Sequence, residues 1–233
     1  MAAGYDELAD RADSDDLDRT ESPWGDSRFQ RHYAWPALEA ILPDVGDDRV
    51  LLAGCGRGDH VGWFLDRGAR VVGVDVSERA VAAARDRFGT EATFRRADLT
   101  DALDFADGAF DLVVSNLALS HVESWPPVFA SFRRLLAPDG TLAFATVHPH
   151  YLRQRTDANY YETAAFENPW PGADIPTYYR PMGEVVDAVV SSGLRIESFE
   201  EPRPTAAFRE HCPDRYEDAM TDPQLLVVRA AVE

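Results

Sequence analysis

Lysine is absent from this sequence: all 23 basic residues are arginine, set against 41 aspartates and glutamates for a formal net charge of −18. A surface so acidic repels polyanions at long range, which argues against nucleic acid and anionic membrane as partners. Cysteine is nearly as scarce. Cys55 and Cys212 stand alone with no C-x-x-C spacing, so neither a disulfide framework nor a cysteine zinc site is indicated. No run of about eighteen apolar residues offers a membrane span, and no basic start with an apolar core suggests a signal peptide. The expectation is a cytoplasmic protein.

What is present suffices for one sizeable α/β domain, since 233 residues support a single core. Residues 1–22 are rich in acids and poor in apolar side chains, and read as an acidic, mobile N-terminal segment with Tyr5 and Leu8 as exceptions. Residues 23–233 form the domain. Within it, Phe29, His32, Tyr33, Trp35, Leu38, Ile41 and Leu42 fall near helical spacing before Pro43. That helix either packs on a sheet edge or covers a ligand with Tyr33 or His32 facing the site. Excess aspartate without lysine also resembles proteins of salt-loving archaea, where concentrated salt screens self-repulsion and makes a halophilic habitat the expectation.

Residues 50–58, VLLAGCGRG, organise the rest. Val50 to Ala53 are apolar without alternation, as in a parallel strand covered on both faces. Gly54, Gly56 and Gly58 then permit positive φ and let a ligand lie against bare backbone, ahead of a helix expected over 59–67. Asp59 stands where the dinucleotide pattern G-x-G-x-x-G needs its last glycine, and its charge disfavours a pyrophosphate. Residues 70–75 (RVVGVD) read as a second buried strand ending in Asp75, an acid placed to accept from two ribose hydroxyls. Ser77 suits the N-cap of a helix over 78–88. Strands follow at 94–99, 110–116 and 142–147, helices at 127–136 and 182–193, and two closing strands at 194–200 and 225–231. The predicted fold is a Rossmann-like three-layer α/β/α sandwich on a seven-stranded, mostly parallel sheet with one antiparallel strand.

The G-x-G-x-G turn after an apolar strand, followed in order by Asp75, Ala97-Asp98-Leu99 and Ser115-Asn116, resembles the class I S-adenosylmethionine-dependent methyltransferases of the small-molecule, type 11 kind. The resemblance implies S-adenosyl-L-methionine as cofactor, held by Gly54, Cys55, Gly56, Gly58, Asp75, Val76, Asp98, Leu99, Ser115 and Asn116, with Asp98 and Leu99 reading the adenine. It also implies an acid where Leu52 stands, one that helps hold the cofactor's ammonium group. Backbone carbonyls near Gly54 or Ser115, or the Asp59 carboxylate, are candidate substitutes. The absence of that acid keeps a non-catalytic cofactor-binding or partner subunit open as an alternative, and Asp75 leaves a nicotinamide-dependent oxidoreductase as a more distant one.

Ser115-Asn116-Leu117-Ala118 lacks the N-P-P-aromatic pattern of base and glutamine methylators, and no Pro-Cys nucleophile occurs. The expected acceptor is therefore a small molecule, methylated on oxygen, nitrogen or carbon. His121 is the best-placed titrating group, either as proton acceptor or as a residue that shapes the pocket. His148 and His150 flank Pro149, but no familiar ligand spacing completes a metal site with them. A stretch of about 148–180 is too long for an ordinary connection and reads as a lid. Tyr151, Trp170 and Arg180 within it, together with Tyr33 on the earlier helix, are candidate substrate contacts, with Arg180 and Arg203 near its end as clamps for a carboxylate or phosphate.

Overall fold

The computed structural model describes residues 2–12, 27–170 and 173–233. Its strands are β1 (Arg49–Ala53), β2 (Arg70–Asp75), β3 (Thr93–Arg96), β4 (Phe110–Asn116), β5 (Leu136–Val147), β6 (Ala164–Trp170), β7 (Ala173–Tyr179), β8 (Leu194–Glu200) and β9 (Leu225–Val232). Seven of them form one sheet in the order β3-β2-β1-β4-β5-β9-β8, while β6 and β7 pair as a separate hairpin. β9 alone runs against its neighbours β5 and β8. The strand order reverses direction between β1 and β4, and in open α/β sheets ligands bind in the crevice at such a switch point.

The helices are α1 (Ala2–Ala12), α2 (Trp35–Glu39), α3 (Val61–Leu65), α4 (Glu78–Phe88), α5 (Trp125–Leu135), α6 (Pro149–Arg153), α7 (Met182–Val190), α8 (Ala206–His211) and α9 (Pro213–Thr221). Alternating side chains on each strand build the three layers. Leu51, Val113, Leu142, Phe144 and Val228 pack with α5 and α7 on one face. Val50, Leu52, Leu112, Val114, Ala143 and Val227 pack with α2, α3, α4, α8 and α9 on the other. Among the described residues no helix is long and apolar enough to cross a membrane.

Four local expectations change. The helix expected over 59–67 is only the five residues of α3, because tight turns at Gly58 and His60 precede it; no long helix N-terminus faces the glycine turn. β5 begins at Leu136, six residues early, and Pro138-Asp139-Gly140 rides in it as an irregularity where the register shifts between Phe110 and Leu112. Pro36 lacks the N–H that would bond His32, so the chain widens into a π-turn over Gln30–Ala34, and the Thr205 hydroxyl donates to His32 O instead.

The fourth change is at the N-terminus. Residues 2–12 form α1, where mobility was expected for most of the segment; residues 13–22 lie outside the described residues. Tyr5, Leu8 and Ala9 share one helix face and pack on Ala80 of α4 and Ile175 of β7. On the flank, Asp6 accepts from Ser77 Oγ at 2.6 Å and from the Arg79 N–H at 3.2 Å, and Asp10 pairs with the Arg79 guanidinium. The acids that argued for mobility thus find partners at the start of α4.

Candidate active site

The glycine turn leaves β1 with Gly54, Gly56 and Gly58 at φ of 77°, 53° and 79°. A β-carbon on Gly54 would sit 2.3 Å from the Ala118 β-carbon, so only glycine lets the turn after β1 and the turn after β4 approach this closely. The N–H groups of Gly54 and Cys55 both donate to Val74 O at 2.9 Å, tying the turn to β2. At the end of β2, Asp75 accepts from the Gly56 N–H at 2.8 Å and the Ser77 N–H at 3.0 Å. Burial raises the Asp75 carboxyl above its usual range, while the Ser77, Gly56 and Val76 amides hold it down. A carboxylate so placed has oxygen lone pairs left for ligand hydroxyls.

Across the switch point, β4 ends in Ser115 and Asn116, and Leu117 takes a left-handed φ of 59° that turns the chain off the sheet. The Asn116 amide donates to Gln30 Oε1 at 3.2 Å and to His60 Nε2 at 2.9 Å. Trp35 stacks on His60 with ring centroids 4.0 Å apart and planes 8° from parallel. Burial pushes the His60 imidazole down to about 4, so it stays neutral.

Farther along, a 3-10 turn (Leu119–His121) carries His121, whose Nδ1–H donates to Pro176 O of β7 at 3.0 Å. Burial lowers the His121 pKa from its ordinary 6.5. The Tyr5 ring meets His121 edge to face at 5.7 Å, and burial with the Asp75 carboxylate drives its phenol well above the usual value. Helix α1 therefore spans from the end of β2 to the loop after β4.

The chain matches the family described as a methyltransferase domain over residues 51–144. A solved S-adenosylmethionine-dependent methyltransferase from Mesorhizobium loti is 32% identical, with a TM-score of 0.71, over 84% of this chain and 96% of that one. The chain belongs to the class I S-adenosylmethionine-dependent methyltransferases. A trans-aconitate 2-methyltransferase from Variovorax paradoxus is 30% identical over 73% of this methyltransferase and 67% of its own length. A malonyl-[acyl-carrier protein] O-methyltransferase from Enterobacter lignolyticus is 38% identical over 52% of this chain, spanning about half (47%) of that protein. The cofactor is S-adenosylmethionine, and neither the non-catalytic nor the nicotinamide alternative stands.

Within the methyltransferase the expected residues fall into two groups. Gly54, Cys55, Gly56, Gly58, Asp75, Val76, Ser115 and Asn116 line the strand ends at the switch point, with His121 on the loop beyond them. Cys55 packs its sulfur where a β-carbon on Gly73 would come within 2.8 Å, and burial pushes its thiol up, so it fills space. Asp98 follows β3 and accepts from the Thr100 N–H and hydroxyl at 2.9 and 2.7 Å, while Leu99 is buried in the core.

The second group lies elsewhere. Tyr33 is wholly buried among Phe29 and Phe208, donates to Pro202 O at 2.7 Å, and is held up to about 12 by burial; His32 stacks on His211 at 4.0 Å. Both serve packing between the π-turn and α8, because that turn rotates Gln30 and Trp35 toward the site instead. Arg180 donates to Val122 O at 2.5 Å and Glu123 O at 3.5 Å and lies 4.2 Å over Trp125, so it straps the end of β7 to the His121 loop where a substrate clamp was expected. Tyr151 on α6 lies 3.4 Å under Arg155, and the side chain of Trp170 is outside the described residues.

His148 donates from Nε2 to Glu201 at 2.8 Å and accepts the His150 N–H on Nδ1, capping α6; His150 meets Asp222 at 3.1 Å. Asp59 pairs with Arg87 at 3.2 Å. Tyr5, Gln30, Trp35 and His60 were missed. The i, i+3, i+4 spacing of Tyr5, Leu8 and Ala9 and the helical spacing that includes Trp35 offered a signal, and for Gln30 and His60 there was none.

Proposed function

We propose that this methyltransferase methylates a hydroxyl oxygen of a small-molecule acceptor, with His121 taking the departing proton. The observation that supports the reading is the His121 tautomer. Its Nδ1–H is engaged by Pro176 O, which leaves Nε2 as a lone-pair acceptor, and burial keeps the ring neutral at physiological pH. The printed name of the malonyl-[acyl-carrier protein] relative, an O-methyltransferase, favours oxygen as the acceptor atom; a malonyl oxygen belongs to a carboxylate with no proton to lose, so the choice of a hydroxyl rests on His121.

The residues at the switch point fit the cofactor: the bare glycine turn admits close backbone contact, and Asp75 offers a charged acceptor to ribose hydroxyls. Bound S-adenosylmethionine supplies a methyl carbon already activated by its sulfonium. Asp75 and the turn orient the nucleoside, Asp98 and Leu99 receive the adenine, and α1 with β7 keeps water from the crevice. Domain residues 23–233 would bear this site, with the segment at about 148–180 as its cover. Alignment and a dry site are most of what an in-line displacement requires, and the base adds about 100- to 10,000-fold for a hydroxyl.

The test is methyl transfer into a metabolite extract, followed by kinetics with the acceptor found. Both His121→Ala and His121→Asn should lower turnover at least about a hundredfold while S-adenosylhomocysteine affinity stays within about threefold. Turnover in the parent should fall with acid only below a pKa that is itself under 6.5. Turnover retained in His121→Asn and lost in His121→Ala would assign His121 to shaping the pocket and overturn the proton-acceptor role.

A further inference from the structure

One hydrogen bond does not fix an imidazole. The bond from His121 Nδ1–H to Pro176 O, 3.0 Å long, leaves the ring free to tilt about its donor, and Nε2 swings with it. A second contact comes from α1. The Tyr5 ring stands against His121 with centroids 5.7 Å apart and planes at 86°, an edge-to-face arrangement that limits the tilt.

The two contacts are joined behind the ring. Leu8, one helical turn after Tyr5, packs with Ala9 on Ile175, the residue next to Pro176, and on Ala80 of α4. Leu8, Ala80 and Ile175 are wholly buried, so the helix that carries the Tyr5 ring and the strand that carries the Pro176 carbonyl meet in a dry contact. Docking of α1 does not depend on Tyr5. Asp6 accepts from Ser77 Oγ at 2.6 Å and from the Arg79 N–H at 3.2 Å, and Asp10 pairs with Arg79, so the helix is anchored along its polar flank as well. The phenol cannot itself be the base, because burial and the Asp75 carboxylate hold it well above its usual range and keep it protonated.

We infer that Tyr5 is a positioning residue for His121: its ring on α1, together with the Pro176 carbonyl on β7, holds the imidazole so that Nε2 meets the acceptor. The inference rests on the proton-acceptor reading of His121 given above. Misplacing a reacting group by about 1 Å can cost about 100-fold in rate, so a ring held by one contact instead of two loses turnover while the cofactor stays bound.

Two measurements test it. One is the initial rate of labelled methyl transfer from S-adenosylmethionine into a metabolite extract; the other is histidine-ring NMR of the S-adenosylhomocysteine complex, with His121 assigned by the signals lost in His121→Asn. Tyr5→Ala should lower transfer at least about tenfold, while S-adenosylhomocysteine affinity changes by about threefold or less. The groups that face the imidazole are Tyr5 from α1 and the Pro176 carbonyl from β7, the Asp6 and Asp10 carboxylates being engaged by Ser77 and Arg79. Removing the Tyr5 ring admits water, so the His121 pKa should rise from its lowered value toward 6.5. Tyr5→Phe keeps the edge contact and should restore rate, affinity and pKa together. If Tyr5→Ala fails to fold, Tyr5→Leu carries the test, since it keeps apolar bulk without a ring and must show the same loss. Equal losses of transfer and affinity would make Tyr5 a cover for the cofactor only, and a loss in Tyr5→Phe as large as in Tyr5→Ala would assign the effect to the hydroxyl. Either overturns the inference, as does parent-like transfer or an unchanged His121 pKa without the ring. Parent-like transfer in His121→Asn would instead refute the proton-acceptor reading, and the NMR titration of Tyr5→Ala would still report whether Tyr5 holds the imidazole.

Discussion

Replacing Asp75 by asparagine keeps the shape of the side chain and removes one acceptor oxygen and the charge. In the parent, one carboxylate oxygen takes the Gly56 N–H at 2.8 Å and the other takes the Ser77 N–H at 3.0 Å. Whichever way an asparagine turns, its NH2 faces one of those donors, and an orphaned buried N–H costs about 1–3 kcal/mol. The melting temperature without ligand should therefore fall. Binding should suffer more, because each ribose hydroxyl loses a charge-assisted bond of about 1.5–3 kcal/mol, or roughly 10- to 100-fold in affinity.

Titration with S-adenosylhomocysteine, at a temperature where melting shows the variant folded, separates the two effects. The pH dependence sharpens the test. Burial raises the Asp75 carboxyl above its ordinary range, so parent affinity should weaken as pH falls through that raised value, while the asparagine variant should show no such decline. Affinity within about threefold of the parent, or the same acid decline in both proteins, would refute the ribose role of Asp75.

Three further outcomes are expected. With −18 formal charges, repulsion reaches about 10 Å at 0.1 M salt and about 3 Å at 1 M, so molar KCl should raise the melting midpoint; a midpoint indifferent to salt refutes the halophile reading. His60 is held at about 4 against about 6.5 unfolded, so the stability it contributes is complete above pH 6.5 and lost as pH falls toward 4, up to about 3 kcal/mol. His60→Phe should accordingly show a shallower acid loss of stability than the parent, and an identical slope would mean the ring is not buried neutral. Deleting residues 1–12 withdraws Tyr5, Leu8 and Ala9 from α4 and β7, and with about 1.5–3 kcal/mol for a buried leucine alone, S-adenosylhomocysteine should dissociate at least tenfold faster in stopped-flow. An unchanged off-rate would show that α1 does not cover the cofactor.

What the sequence determined by itself was local and periodic. Val50 to Ala53 as a doubly covered strand, the positive-φ glycines, Asp75 at a strand end and Ser77 as an N-cap all follow from φ preferences, apolar runs and capping within a few residues, and Ser77 Oγ does accept the Ala80 N–H at 3.0 Å. Seven strands in that order admit few topologies, which is why the single antiparallel strand was legible too. Tertiary structure decided everything that depends on which distant segment answers a side chain. Helix content and acidity in residues 2–12 do not reveal that Ser77 and Arg79 will receive Asp6 and Asp10. The helical spacing around Tyr33 does not foretell that Pro36 opens a π-turn, which sends Tyr33 toward Phe208 and Gln30 toward Asn116. The amide of Asn116 is oriented by residues 86 and 56 positions away, a distance over which no sequence periodicity carries information.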